Sequence, residues 1–162
     1  MSEPTFAELD AMVIAAMRHQ GRHMPHLTDA TWEKFIVWAS PKRLLGRRDD
    51  VRGVGLVWDD PRTFPPQDRR YDVGVPILPE DVEKIEPPVF LLVTLPGEYL
   101  KVTHEGPYDQ VPATYDEAMD VVMPQHGLDM LAAPIIEVYR NSPAEVLDEE
   151  LRTDIYIPVI RS

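Results

Sequence analysis

The sequence predicts an α+β fold: two pseudo-symmetric strand–helix–strand–strand repeats forming one domain, with an antiparallel sheet and a cleft between the two helices. Three observations predict it. The turns His19-Gln20-Gly21 and His104-Glu105-Gly106 recur at an offset of 85. An apolar helical stripe recurs at an offset of 83, and prolines in and after the closing strands recur at 82. The repeats then cover about 5–78 and about 88–160, inside a single domain spanning 1–162.

Each repeat opens on a short apolar arm, Phe6 to Leu9 in the first and Leu91 to Thr94 in the second. The strand that follows runs into the histidine turn, as MVIAAMRHQG at 12–21 and GEYLKVTHEG at 97–106. A helix comes next. In the first copy it is expected over about 28–39, with Thr28 or Asp29 as N-cap. Its Trp32, Phe35, Ile36 and Ala39 fall at i, i+3, i+4 and i+7 and so share one face. In the second copy, over about 111–123, Tyr115, Ala118, Met119 and Val122 repeat that spacing. Two β-branched strands close each unit: Val54 to Trp58 and Tyr71 to Ile77, then Ile135 to Tyr139 and Thr153 to Val159. Pro61 and Pro143 follow the first strand of each pair, and Pro76 and Pro158 sit near the end of the second, where a missing N–H does least harm. Pro79 to Pro88 reads as a linker between the units.

Composition narrows the function. The net charge of −12 is uneven: residues 1–80 carry 11 basic and 12 acidic side chains, residues 81–162 carry 5 and 16. An acidic surface repels phosphate backbones, so direct nucleic-acid binding is not expected, whereas a cationic ligand or a basic protein surface suits it. The chain has no cysteine, which excludes disulfides and thiolate chemistry. Neither a secretory signal nor an apolar run of about 18 residues is present, so a cytoplasmic protein with no membrane partner is expected. His19, His23 and His26 would share a metal only on a helix, which Gly21 and Pro25 argue against; no metal and no cofactor are expected. The serines Ser2, Ser40, Ser142 and Ser162 lie at termini or loop edges, and no nucleophile elbow surrounds them. His19 and His104 read as matched turn residues whose rings bond to the backbone.

The ordered set LPGEYLKVTHEGPYDQVPATYDEAM, PIIEVYRNSP and TDIYIPV resembles the GyrI-like domain, which is also the effector-binding domain of some AraC- and MerR-type multidrug regulators. The resemblance covers nearly the whole chain and is stronger over residues 88–160. It implies a duplicated module that binds lipophilic, aromatic, cationic molecules. With about five residues before the first strand, no helix-turn-helix is expected, and the resemblance implies a stand-alone member. It also implies a glutamate on the third strand of the second unit, pointing into the pocket, and Glu137 matches that position.

Further candidates surround Glu137. Gly55 stands at the same place in the first unit, where a missing side chain leaves room for a ligand. Tyr139 shares the Glu137 face and offers an aromatic wall and a hydroxyl. Trp32 and Tyr115 occupy matching helix positions, and either line the cleft as a pair or fill the core. Trp58 is placed to cap the cleft, Tyr108 to stand at its mouth, and Met119 to form a soft wall or core filling. The leading reading is a binding protein for a small hydrophobic or cationic ligand. Its alternatives are inhibition of DNA gyrase by protein–protein contact and hydrolysis of cyclopropane-type electrophiles, with Glu137 as base and Tyr139 or Tyr108 as donor. Oligomeric state stays open.

Overall fold

The computed structural model describes residues 3–19 and 30–161. Gln20, Gly21, His23, His26 and the expected caps Thr28 and Asp29 lie outside the described residues. The strands are β1 (Thr5–Leu9), β2 (Val13–His19), β3 (Gly53–Val57), β4 (Tyr71–Pro76), β5 (Phe90–Val93), β6 (Gly97–Glu105), β7 (Leu128–Met130), β8 (Ile135–Tyr139) and β9 (Arg152–Arg161). Helix α1 is Ala30–Ala39. Helix α2 is Val111–Glu117 and runs on through Ala118–Val122 to Met123–Gln125.

All ladders are antiparallel, and the main sheet runs β1-β6-β9-β8-β3-β4-β2-β5, with β7 attached to β9. This order reads the same from both ends when the strands of one half are exchanged for their counterparts, an architecture compatible with the two-repeat reading. The arms are exchanged: β1 pairs with β6 of the second half, and β5 pairs with β2 of the first. The two crossings are tied together, Met12 N–H donating to Thr94 Oγ1 (2.8 Å) and Thr94 N–H to Met12 O (2.9 Å).

The halves join at β3 and β8, where Gly55 lies directly opposite Glu137. The 82-residue offset also maps Gly55 onto Glu137, so any pseudo-twofold axis passes through this pair. Both central strands are buried on both faces, which is why GVGLV and IIEVY lack a polar alternation. On one face α1 and α2 bury Val57, Tyr71, Val73 and Ile135 together with Trp32, Phe35 and Tyr115. On the other, Ile14, Val54, Leu56, Tyr99, Ile136 and Tyr156 form a second cluster drawn from both halves, with no helix residue in it.

Matched latches join the strands to the helices. His104 Nε2 bonds to Pro107 O (2.9 Å), so it carries the proton, and Nδ1 accepts from Thr114 Oγ1 (2.7 Å). His19 Nδ1 meets Thr31 Oγ1 at 2.9 Å in the first half. The backbone bond expected of the ring is present at His104, and in both halves a threonine of the helix is the further partner. Two buried aspartates are also counterparts. Asp72 receives Arg18 in two bonds (2.8 and 2.9 Å) and Trp58 Nε1 (2.6 Å). Asp154 receives Thr103 (2.6 Å) and Arg140 (2.6 Å). Burial alone would raise the Asp154 carboxyl, but these donors hold it below its ordinary value.

The structure adds detail to two expectations. The stretch 79–84 is an ordered 3-10 helix, with Asp81 fully buried and bound by Arg47 (2.6 and 3.1 Å), Lys84 (3.0 Å) and the Leu78 N–H (2.9 Å). The linker between the units is thus a structured element over these residues. The second helix is also not regular. Pro124 has no N–H to give to the carbonyl four residues back, and the chain widens into a π turn in which Met123 N–H reaches Ala118 O. No described helix is long and apolar enough to cross a membrane.

Candidate functional site

A cleft of about 470 Å³ opens over the junction of the halves, a size suited to a drug-like molecule. Its floor is Glu137 on β8, flanked by Val57 on β3 and Tyr71 on β4. One wall is the start of α2 and the turn before it, giving Tyr108, Asp109, Val111, Pro112, Tyr115 and Asp116. The other is the β3–β4 connection, giving Pro61, Arg62, Arg69 and Arg70. Among the described residues, α1 contributes nothing to the lining.

Glu137 is only 1% exposed, yet it borders this cleft. Isolated in a core, a carboxylate would be strongly disfavoured. Here Tyr115 Oη donates to Oε2 (2.5 Å) and Tyr139 Oη donates to Oε1 (2.6 Å). Tyr71 Oη lies 2.5 Å from Tyr139 Oη. Because Tyr139 has given its one proton to Glu137, Tyr71 is the donor of that pair, and the phenols form a relay directed at the carboxylate. Burial, and then the charge of Glu137, push the Tyr115 and Tyr139 hydroxyls well above the ordinary tyrosine value, so both stay protonated donors. Tyr108 packs edge-on against Tyr139 at 5.9 Å, and burial followed by the Glu137 charge likewise raises its hydroxyl.

The rim is tightly knit on the β3–β4 side. Arg70 grips Asp59 through Nε (3.1 Å), Nη2 (2.9 Å) and its backbone N–H (2.7 Å). Arg62 crosses to Asp120 on the π turn of α2, which ties the two walls together. Arg69 Nε donates to Phe64 O (2.8 Å).

Of the expected site residues, Glu137, Tyr108 and Tyr115 line the cleft, and Tyr139 supports its floor. Gly55 leaves room for something other than a ligand: a Cβ there would sit 2.2 Å from Tyr71 Oη and 2.8 Å from Tyr139 Oη. Its bare backbone makes space for the phenol relay. Trp58 does not cap this cleft, because its indole N–H is held by Asp72; it borders a separate hollow with Arg70, Thr94 and Pro134. Trp32 stacks on Phe35 (5.7 Å, 17°) inside the core, and Met119 packs against the same core, so both belong to the filling. Sequence reasoning missed Tyr71 and the rim arginines. Tyr71 heads a recognised strand, but its place depends on the register with β3, where it faces Val57. Among the described residues no group of three or more His, Asp or Glu could hold a metal.

The model of the GyrI-like small molecule binding domain matches residues 2–160. The chain is 27% identical to the probable transcriptional regulator YgiV of Escherichia coli (strain K12) over 152 residues, 94% of this chain and 92% of that one. The crystal structure of the EcmrR C-terminal domain superposes with a TM-score of 0.77 at 17% identity, covering 99% of this chain and 98% of that one. The structure of SAV2435 bound to tetraphenylphosphonium superposes with a TM-score of 0.65 at 14% identity, covering 98% and 94%. These two structural likenesses concern the fold.

Proposed function

The chain belongs to the GyrI-like small molecule binding domain family, and from this premise we propose that it binds a lipophilic, cationic or aromatic molecule in the cleft, with Glu137 as counter-charge. One observation carries the reading: a carboxylate almost wholly removed from water forms the floor of an aromatic-walled cleft. Two phenols each donate to one of its oxygens. A cation entering the cleft would meet this carboxylate where water screens the attraction little. Tyr71, Tyr108 and Tyr115 would meet its apolar and aromatic parts, with cation–π attraction added. The tetraphenylphosphonium held by SAV2435 is a molecule of this class, which supports the choice of chemistry.

A thermal-shift screen of lipophilic cations tests the proposal. Hits that stabilise the wild type and lose their effect in Glu137→Gln are expected; hits indifferent to that substitution would remove Glu137 from the account.

Hydrolysis of an electrophilic small molecule is a second reading, favoured by the same carboxylate bordering the cleft beside phenolic donors. Each oxygen accepts one phenol, so a proton to be removed would have to reach its second lone pair inside the floor of the cleft. Turnover of a cyclopropane electrophile that vanishes in Glu137→Gln would establish hydrolysis. Cation binding with no turnover leaves binding as the function.

A further inference from the structure

The cleft mouth carries side chains of both charges. Three arginines border it, and two are paired with carboxylates of the chain itself: Arg70 with Asp59, and Arg62 with Asp120, with Asp60 nearby. Arg69 is different. Its Nε is bound to the Phe64 carbonyl at 2.8 Å, and among the described residues it has no carboxylate within ion-pair distance. It is half-buried and lines the cleft. The carbonyl contact anchors the stem of the guanidinium and leaves the two terminal nitrogens, the pair that binds an anionic group in a fork. On the opposite wall, Asp109 and Asp116 are exposed acids, so the mouth is divided into a basic and an acidic side.

We propose that Arg69 is a second recognition point of the cleft, and that its ligand is amphoteric: a lipophilic cationic end directed at Glu137, and a carboxylate or similar anionic oxygen group held by Arg69. The proposal rests on the cation-binding reading above and narrows its substrate class. A bare cation is attracted by the floor and repelled by Arg69, whereas a molecule carrying both charges in the right order is attracted by both. The proposal also assigns a use to the turns that hold the β3–β4 connection, Phe64 N–H to Asp60 O (3.1 Å) and Asp68 N–H to Pro65 O (3.0 Å), which fix the carbonyl that anchors Arg69.

The test uses matched probes and the full chain. A series of ω-carboxyalkyl triphenylphosphonium ions is titrated against the alkyl ions of equal chain length, in wild type, Arg69→Gln, Arg69→Lys and Glu137→Gln. At the best chain length the carboxylate should tighten binding to wild type by about tenfold, the order of one charge-assisted contact. That gain should disappear in Arg69→Gln, return in part in Arg69→Lys and shrink with added salt. The affinity of the alkyl ions should not fall in Arg69→Gln, and should fall in Glu137→Gln. A carboxylate that gives no gain at any length, or a gain that survives Arg69→Gln, overturns the proposal. The alkyl ions report the floor alone: if they bind and depend on Glu137, the cation reading stands even when the anion point fails. If no probe binds, both fall.

Discussion

Gly55 and Glu137 are register partners across β3 and β8, and the difference between them shapes the floor of the cleft. Gly55→Ala would place a methyl group 2.2 Å from the Tyr71 hydroxyl and 2.8 Å from the Tyr139 hydroxyl, so two buried phenols would have to shift. A stability loss of about 2 kcal/mol in urea denaturation is expected, from overpacking and a broken relay. Unchanged stability would mean the hydroxyls relocate freely. Tyr71→Phe should be milder, about 1 kcal/mol, because it removes a donor without forcing a clash. The contrast between these two positions was legible in the sequence, since the repeat offset aligns them. The occupant of the space above Gly55 was not, because Tyr71 reaches it through a strand register that periodicity does not specify. Arg69 escaped for a similar reason: nothing local distinguishes it from its neighbour Arg70, and only the fold shows that one is paired with Asp59 and the other is not.

The elements themselves were more legible than the connections between them. Apolar spacing located both helices and all four closing strands, because burial of one face imposes a period that the sequence must carry. It treated Tyr115, Ala118, Met119 and Val122 as one regular stripe, although Pro124 was a visible signal that a carbonyl would lose its partner. It read 79–88 by its prolines and overlooked that Asp81 has Lys84 three residues on and needs a buried counter-ion. The histidine latches give a prediction at this scale. Thr114→Val leaves the buried His104 Nδ1 without its donor and should cost about 1–2 kcal/mol. Thr31→Val acts on a partly buried bond in the first half and should cost less. Thermal denaturation of the two variants checks the ranking; equal or reversed losses would show that the latches do not hold the helices in the way described.

Across the whole molecule, the connection between the halves is pinned by Asp81. Burial opposes its ionisation, but Arg47, the Leu78 N–H and Lys84 outweigh that and hold its carboxyl at about 2. A group whose value is depressed by folding stabilises the protein above its unfolded value of about 3.9, and that contribution is lost as pH falls through the folded value. The stability difference between wild type and Asp81→Asn should therefore be full at neutral pH, shrink from about pH 4 downward, and be largely gone near pH 2. A difference independent of pH would show that the ion pairs do not supply it. Above this scaffold, the sheet order brings the two central strands together and so puts a single carboxylate at the junction, roofed by one helix and one loop rather than lined by both helices. The proposed function of the cleft turns on that carboxylate meeting a cation. Calorimetric titration of tetraphenylphosphonium into wild type and Glu137→Gln tests it most directly. Saturable one-site binding to wild type, weakened at least about tenfold, or about 1.4 kcal/mol, in a variant that remains folded, is the predicted result. Equal affinity in the two proteins, or no binding to wild type, would contradict it.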